Sequence, residues 1–187
     1  MASNKKPRKQ YRPKPQRVLC ADPSDIEDIK ALISKVGLAT ELALPLGTAT
    51  ADDLSCIKSL LNHALVGLVG REYLDESERE AASVVINKGG DACVAAVKKA
   101  CDRREKTGGD LHFIFTGDEL NAVRDAVAAA DHFISDSLDV EPHRTLKEFY
   151  VMKLLLKRKQ GDGVTAERVK RVLNELAVMP TKKWRTI

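Results

Sequence analysis

Long apolar runs are what this chain most plainly lacks. The longest fall far short of the roughly 20 residues that cross a bilayer, and the basic opening stretch has no apolar segment behind it of the kind a secretory signal needs. Neither secretion nor membrane insertion is expected. Paired cysteines are also missing: Cys20, Cys56, Cys93 and Cys101 form no C-x-x-C motif and stand near no histidine at zinc-site spacing. They are expected to be reduced thiols. Cys93 and Cys101, eight residues apart on a stripe with Val94 and Val97, are expected inside the core. The four histidines, His63, His112, His132 and His143, are scattered without metal spacing, and His63 reads as a core residue of an apolar helix. Asp131 and His132 are helix neighbours whose side chains point apart, so they make no simple acid–base pair. There is no G-x-x-x-x-G-K phosphate cradle, no nucleophile elbow and no hydrolase carboxylate pair. A non-enzymatic protein, with no metal and no cofactor, is therefore expected.

What the chain does have is charge sorted by position. Its 187 residues sum to only +4. Residues 1–17 nevertheless carry seven Lys or Arg and no acid, and residues 153–187 carry ten bases against Asp162, Glu167 and Glu175. Each end is thus +7, and the 14 bases and 24 acids between them give a body of −10. Both ends suit a polyanion and the body does not. Abundant single acids along the body read as a solvated acidic face. Three regions follow: a basic tail over 1–20, an acidic helical bundle over 21–142, and a basic helical hairpin with a C-terminal tail over 143–187.

The opening Asn4 to Arg17 contains three prolines and too little apolar surface to offset chain ordering, which predicts a disordered tail. Beyond it, apolar residues recur at helical spacing almost throughout. Ile26, Ile29, Leu32, Ile33 and Val36 predict a short helix ending at Gly37. Thr50 and Asp53 predict the cap of a core helix through Leu54, Ile57, Leu60, Leu61, Ala64, Leu65 and Leu68. From about Asp75 to Lys106 the glycine pair Gly89-Gly90 interrupts the pattern, at a cost of about 2 kcal/mol relative to alanine. The stripe of Ala82, Ile86, Gly89, Cys93, Val97 and Ala100 keeps its phase across the pair, which predicts one continuous helix with Gly89 at a close crossing.

Leu111 to Phe115 is the one β-prone run, read as an extended connector unless it pairs across a dimer. Thr116-Gly117-Asp118-Glu119 predicts a capping box and a helix lined by Leu120, Val123, Ala126, Val127, Ala130, Phe133 and Ile134. Glu141-Pro142 is expected in the following loop, with Thr145 capping the next helix. Gly161-Asp162-Gly163 turns the chain, Thr165 caps a last helix, and Pro180 ends it. No internal repeat at solenoid periods is present. The fold class expected is all-α, a bundle of five or six helices with a disordered basic N-terminal tail.

Several of these segments give the chain a family likeness. It resembles a group of small uncharacterised proteins carried by bacterial phages, prophages and plasmids. The likeness lies in Lys-Lys-x-Arg-x-x-Tyr-Arg-Pro-Lys-Pro (Lys5 to Pro15), in Gly-x-Ala-Thr-x-x-Asp (Gly47 to Asp53), in Gly70-Arg71-Glu72-Tyr73 and in Thr116-Gly117-x-Glu119-Leu120. It spans roughly residues 5–140, with the pieces in the same order at comparable spacing. The family pattern has a histidine where Ala130 precedes Asp131 here. The resemblance implies a phage or mobile-element origin, with residence in the bacterial cytoplasm or the phage particle; it brings no activity and no site residues.

The function expected from the charge pattern is nucleic-acid association, DNA or RNA, through phosphate contacts of the basic ends. In the tail the candidates are Lys5, Lys6, Arg8, Lys9, Arg12, Lys14 and Arg17, with Tyr11 placed to stack on a base. In the last helix they are Arg168, Lys170 and Arg171, and after it Lys182, Lys183, Trp184 and Arg185. A homo-oligomer is expected. Two alternatives remain. One is a protein-interaction or phage structural module whose basic arms dock on acidic surfaces of a phage or host protein. The other is a helix-turn-helix regulator using the C-terminal hairpin, whose pattern an ordinary α-hairpin shares.

Overall fold

The computed structural model describes residues 23–68, 74–161 and 163–177. Within them the chain is all-α and contains no strand. The tail expected to be disordered lies outside the described residues.

The first helix, α1, runs Pro23–Leu38, passes through a wide π-helical turn at Ala39–Ala43 and finishes at Leu44–Leu46. Its length corrects the expected stop at Gly37, which stays helical. The chain turns instead at Gly47, whose φ of 68° is the left-handed cap. The wide turn places the Leu44 N–H on the Ala39 carbonyl just before Pro45, a residue that has no N–H to give and would crowd the carbonyl of Glu41 in a regular helix.

Helix α2 (Ala51–Leu68) opens on the expected pair. Thr50 Oγ1 accepts from the Asp53 N–H (3.2 Å), and the Asp53 carboxylate accepts from the Thr50 N–H (2.9 Å) and hydroxyl (2.7 Å). These bonds hold the Asp53 carboxyl below its usual range, the Thr50 N–H first among the causes. Ile57, Leu60, Leu61, Ala64 and Leu68 are buried, so the predicted stripe is the core face.

Helix α3 (Glu76–Thr107) starts at a complete capping box between Asp75 and Glu78 and crosses the glycine pair without a break. Gly89 faces α4 (Gly117–Val140), as its place on the stripe predicts. A Cβ there would lie 2.8 Å from the Ala122 carbonyl oxygen and inside contact with the Ala126 methyl. α3 and α4 therefore cross closely because one residue has no side chain. The expected box at the start of α4 is also present: Thr116 Oγ1 accepts from the Glu119 N–H (3.3 Å) and Glu119 accepts from the Thr116 N–H (2.9 Å). Between the two helices Leu111 to Phe115 is the expected connector. It alternates inward and outward, with Phe113 buried and Ile114 exposed.

Helix α5 (Pro142–Gln160) corrects two expectations. Glu141 alone joins it to α4, with Pro142 in its first turn, so there is no loop there. Thr145 is not the cap. It lies inside the helix, almost fully buried, and its hydroxyl is shared between the carbonyls of Ser137 (3.0 Å), in the last turn of α4, and Glu141 (3.1 Å), the joint residue. Each of these carbonyls also accepts a backbone N–H, Ser137 from Glu141 (2.9 Å) and Glu141 from Thr145 (3.1 Å), so the hydroxyl adds a second donor that ties the two helices across the joint. After Gly161, at φ 82°, α6 (Ala166–Ala177) turns back on α5, capped as predicted by Thr165 Oγ1, which accepts from the Arg168 N–H (3.2 Å).

The α3–α4 pair and α2 form the centre. α1 covers α2, α5 packs on both α4 and α2, and α6 packs on α5. Cys93 is in the core and Cys101 is exposed, against expectation. Eight residues advance a helix by about 80° past a full turn, so Ala100 takes the inward position and Cys101 turns out.

Candidate nucleic-acid interface

Helix α5 is anchored from inside. Leu146, Val151 and Leu154 are buried, and the Phe149 ring meets His63 of α2 edge-on with centroids 5.2 Å apart. His63 is thus the core residue its apolar helix suggested. Arg144 Nε donates to Glu148 Oε1 at 3.1 Å, and both residues lie inside, Glu148 at 1% exposure. A buried carboxylate held by a guanidinium one turn away keeps its charge compensated; it is part of the scaffold.

With those residues turned in, His143, Tyr150, Lys157 and Arg158 are exposed on α5. His143, Tyr150 and Lys157 are seven apart and share one stripe. On α6 the inward residue is Val169, and Arg168, Lys170 and Arg171 are exposed. These three are the sequence candidates that fall within the described residues. Lys5, Lys6, Arg8, Lys9, Tyr11, Arg12, Lys14, Arg17, Lys182, Lys183, Trp184 and Arg185 lie outside them.

The hairpin brings Arg168 against Tyr150, its guanidinium donating to the phenol oxygen at 3.0 Å. Tyr150, Lys157 and Arg158 are not among the candidates the sequence offers; its periodicity groups Tyr150 with Leu146, Phe149, Leu154 and Leu155 on the apolar side of the helix, whereas the structure exposes it. The seven-residue spacing with His143 was the signal that could have found Tyr150 and Lys157.

The charge of this surface differs from that of the body. Three body cations pair with carboxylates, Lys35 with Asp52 (3.2 Å), Lys99 with Glu119 (2.6 Å) and Arg124 with Glu41 (3.4 Å), while the body as a whole carries −10. The Lys99 ammonium holds the Glu119 carboxyl below its usual range, and Asp52 raises Lys35. Among the described residues no carboxylate forms an ion pair with Lys157, Arg158, Arg168, Lys170 or Arg171, and α6 also exposes Glu167. The surface can therefore take anions.

Lys153 links this surface to the chain's other end. Its ammonium sits 2.7 Å from the Asp28 carboxylate of α1 and 5.0 Å from the centre of the Phe149 ring. Asp28 is five residues into α1, about 8 Å along the axis from Pro23, where the basic N-terminal stretch joins the fold.

A concavity of about 450 Å³ lies between α2, α3 and the connector, lined by Leu54, Lys58, Cys93, Val94, Val97 and Phe113 among others. Burial pushes the Cys93 thiol up to about 11, which leaves it unreactive near neutrality. Among the described residues no three His, Cys, Asp or Glu side chains gather as a metal site, and no helix is long and apolar enough to cross a membrane. No family profile, no curated protein and no solved structure matches the chain.

Proposed function

We propose that this is a non-enzymatic nucleic-acid-associated accessory protein, binding mainly through phosphate contacts of its two basic ends. The resemblance at Lys5 to Pro15 supports a phage or mobile-element setting. One observation carries the reading: five cations of the α5–α6 hairpin stand exposed without carboxylate partners among the described residues, and the sequence adds a second segment of +7 at residues 1–17. Neutralising phosphates releases condensed counterions, so such a surface binds any sequence and does so in a salt-dependent way. The acidic body stays off the polyanion, which orients the bound molecule with its hairpin and tail inward.

The test is fluorescence anisotropy with single-stranded DNA, duplex DNA and RNA at about 50 and 200 mM salt. The expected result is binding at low salt that falls steeply at high salt. An Arg168→Ala/Lys170→Ala/Arg171→Ala variant should flatten the slope of log K against log salt by roughly 2 to 3 on any strand. Deleting residues 1–17 should flatten it further. Unchanged affinity in both variants would overturn the reading.

A further inference from the structure

Resting on that reading, we infer that the hairpin selects unpaired strands, with Tyr150 as a stacking platform for a single base and Arg168 as the phosphate ligand beside it. Tyr150 is the one exposed Phe or Tyr ring among the described residues, at 42% exposure, whereas Phe113 and Phe133 are buried and Phe149 packs on the core. An exposed aromatic needs no explanation by itself. Here it stands on the stripe that carries Lys157, on a helix whose opposite side is fixed to the core by Leu146, Val151 and Leu154.

The ring and the guanidinium hold each other. Arg168 is tied at both ends, its N–H to Thr165 Oγ1 (3.2 Å) and its guanidinium to Tyr150 Oη (3.0 Å). One of its five N–H donors is used, which leaves the others for a phosphate, and the phenol proton remains free to donate. A fixed aromatic face with an oriented guanidinium at its edge matches the alternation of base and phosphate along an unstacked strand. A duplex offers it nothing comparable, because paired bases keep their faces against one another and present only backbone to a ring at the surface. The phosphate-binding cations serve both kinds of strand; the ring serves one.

The experiment compares the full chain with Tyr150→Phe and Tyr150→Leu on a mixed-sequence single strand, as DNA and as RNA, and on the matching duplex. Phe keeps the ring and removes the bond to Arg168; Leu removes both. Stacking is worth about 1–3 kcal/mol per base, so Tyr150→Leu should weaken single-strand binding by roughly 5- to 150-fold. Tyr150→Phe should stay within about threefold of the parent, in line with the loss of one surface hydrogen bond. Neither change should alter duplex affinity or the salt slope, since no charge is removed. Loss on both DNA and RNA supports a platform blind to the sugar, and loss on one alone supports a platform that also reads it.

Equal loss on duplex and single strand, or parent-like binding by Tyr150→Leu, overturns this inference and leaves the phosphate-contact reading standing. Parent protein that binds no strand at low salt removes both. Should Tyr150→Leu fail to fold, the parent is irradiated with a single strand carrying 5-iodouracil and the adduct mapped by mass spectrometry. An adduct on the Tyr150 peptide supports the platform, and adducts confined to Tyr11, Tyr73 or Trp184 overturn it.

Discussion

The adjacent glycines of α3 should respond to the same substitution with opposite signs. Alanine is favoured over glycine in a helix interior by about 1 kcal/mol, and both positions lie within one unbroken helix, so both share that gain. They differ in what a methyl group would meet. At Gly90 nothing lies within 4 Å, and Gly90→Ala should stabilise by about 0.5–1 kcal/mol. At Gly89 the new carbon would press on the Ala122 carbonyl oxygen at 2.8 Å and on the Ala126 methyl, with the Val123 Cα at 3.4 Å. None of these is the end of a flexible side chain, so α4 itself must move away from α3. Overpacking of this kind costs about 1–3 kcal/mol, and backbone contact puts this case at the upper end, so Gly89→Ala should be net destabilising by about 1–2 kcal/mol.

The two variants should therefore differ by about 2–3 kcal/mol in urea unfolding followed by far-UV circular dichroism, with similar slopes, and by several degrees in Tm. Gly89→Ala as stable as Gly90→Ala would refute the close crossing. A changed slope would show that the variant altered more than the crossing.

Two further outcomes follow from buried groups. Thr145→Val keeps the shape of the side chain and removes the hydroxyl shared by the Ser137 and Glu141 carbonyls, each of which keeps its backbone N–H, so it should cost about 0.5–1.5 kcal/mol in the same unfolding assay, and a loss under about 0.3 kcal/mol would show that the joint does not depend on that hydroxyl. For the thiols, brief iodoacetamide treatment at about pH 8 leaves Cys93, with a pKa of about 11, on the order of 0.1% thiolate and buried, whereas Cys101 is exposed. Peptide mapping should find Cys101 labelled and Cys93 untouched until denaturant is added; equal labelling would contradict the register of α3.

Much of the fold was legible where a local rule and the tertiary structure agree. The Thr116 box, the Thr50–Asp53 cap and the phase of the stripe through Gly89 are written in spacings of three, four and seven, and each survives into the packed molecule. The misreadings share a different cause. Gly37 and Thr145 carry strong local preferences, for ending and for capping a helix, and neighbouring structure overrides both. The π-helical turn before Pro45 lets α1 run on past Gly37, and the one-residue joint at Glu141 turns Thr145 from the start of α5 into the support for the end of α4. Cys101 was misplaced by treating a separation of eight as one face. Of the interface, the cations of α6 were readable as charge on an amphipathic helix. Tyr150 was not, because its role depends on Arg168, eighteen positions away, a contact that exists only once the hairpin closes.

Helix α6 has α5 as its principal packing partner, and among its described side chains Val169 is the buried one and Leu173 is 41% exposed. Little water-shielded carbon therefore opposes its release, and it should be the cheapest cooperative unit in the molecule to open, its amides exchanging with solvent well before those of α2 or α3. A strand laid across Tyr150 and Arg168 would clamp that flap shut, so occupancy would be readable as slowed exchange along a helix that the core barely holds.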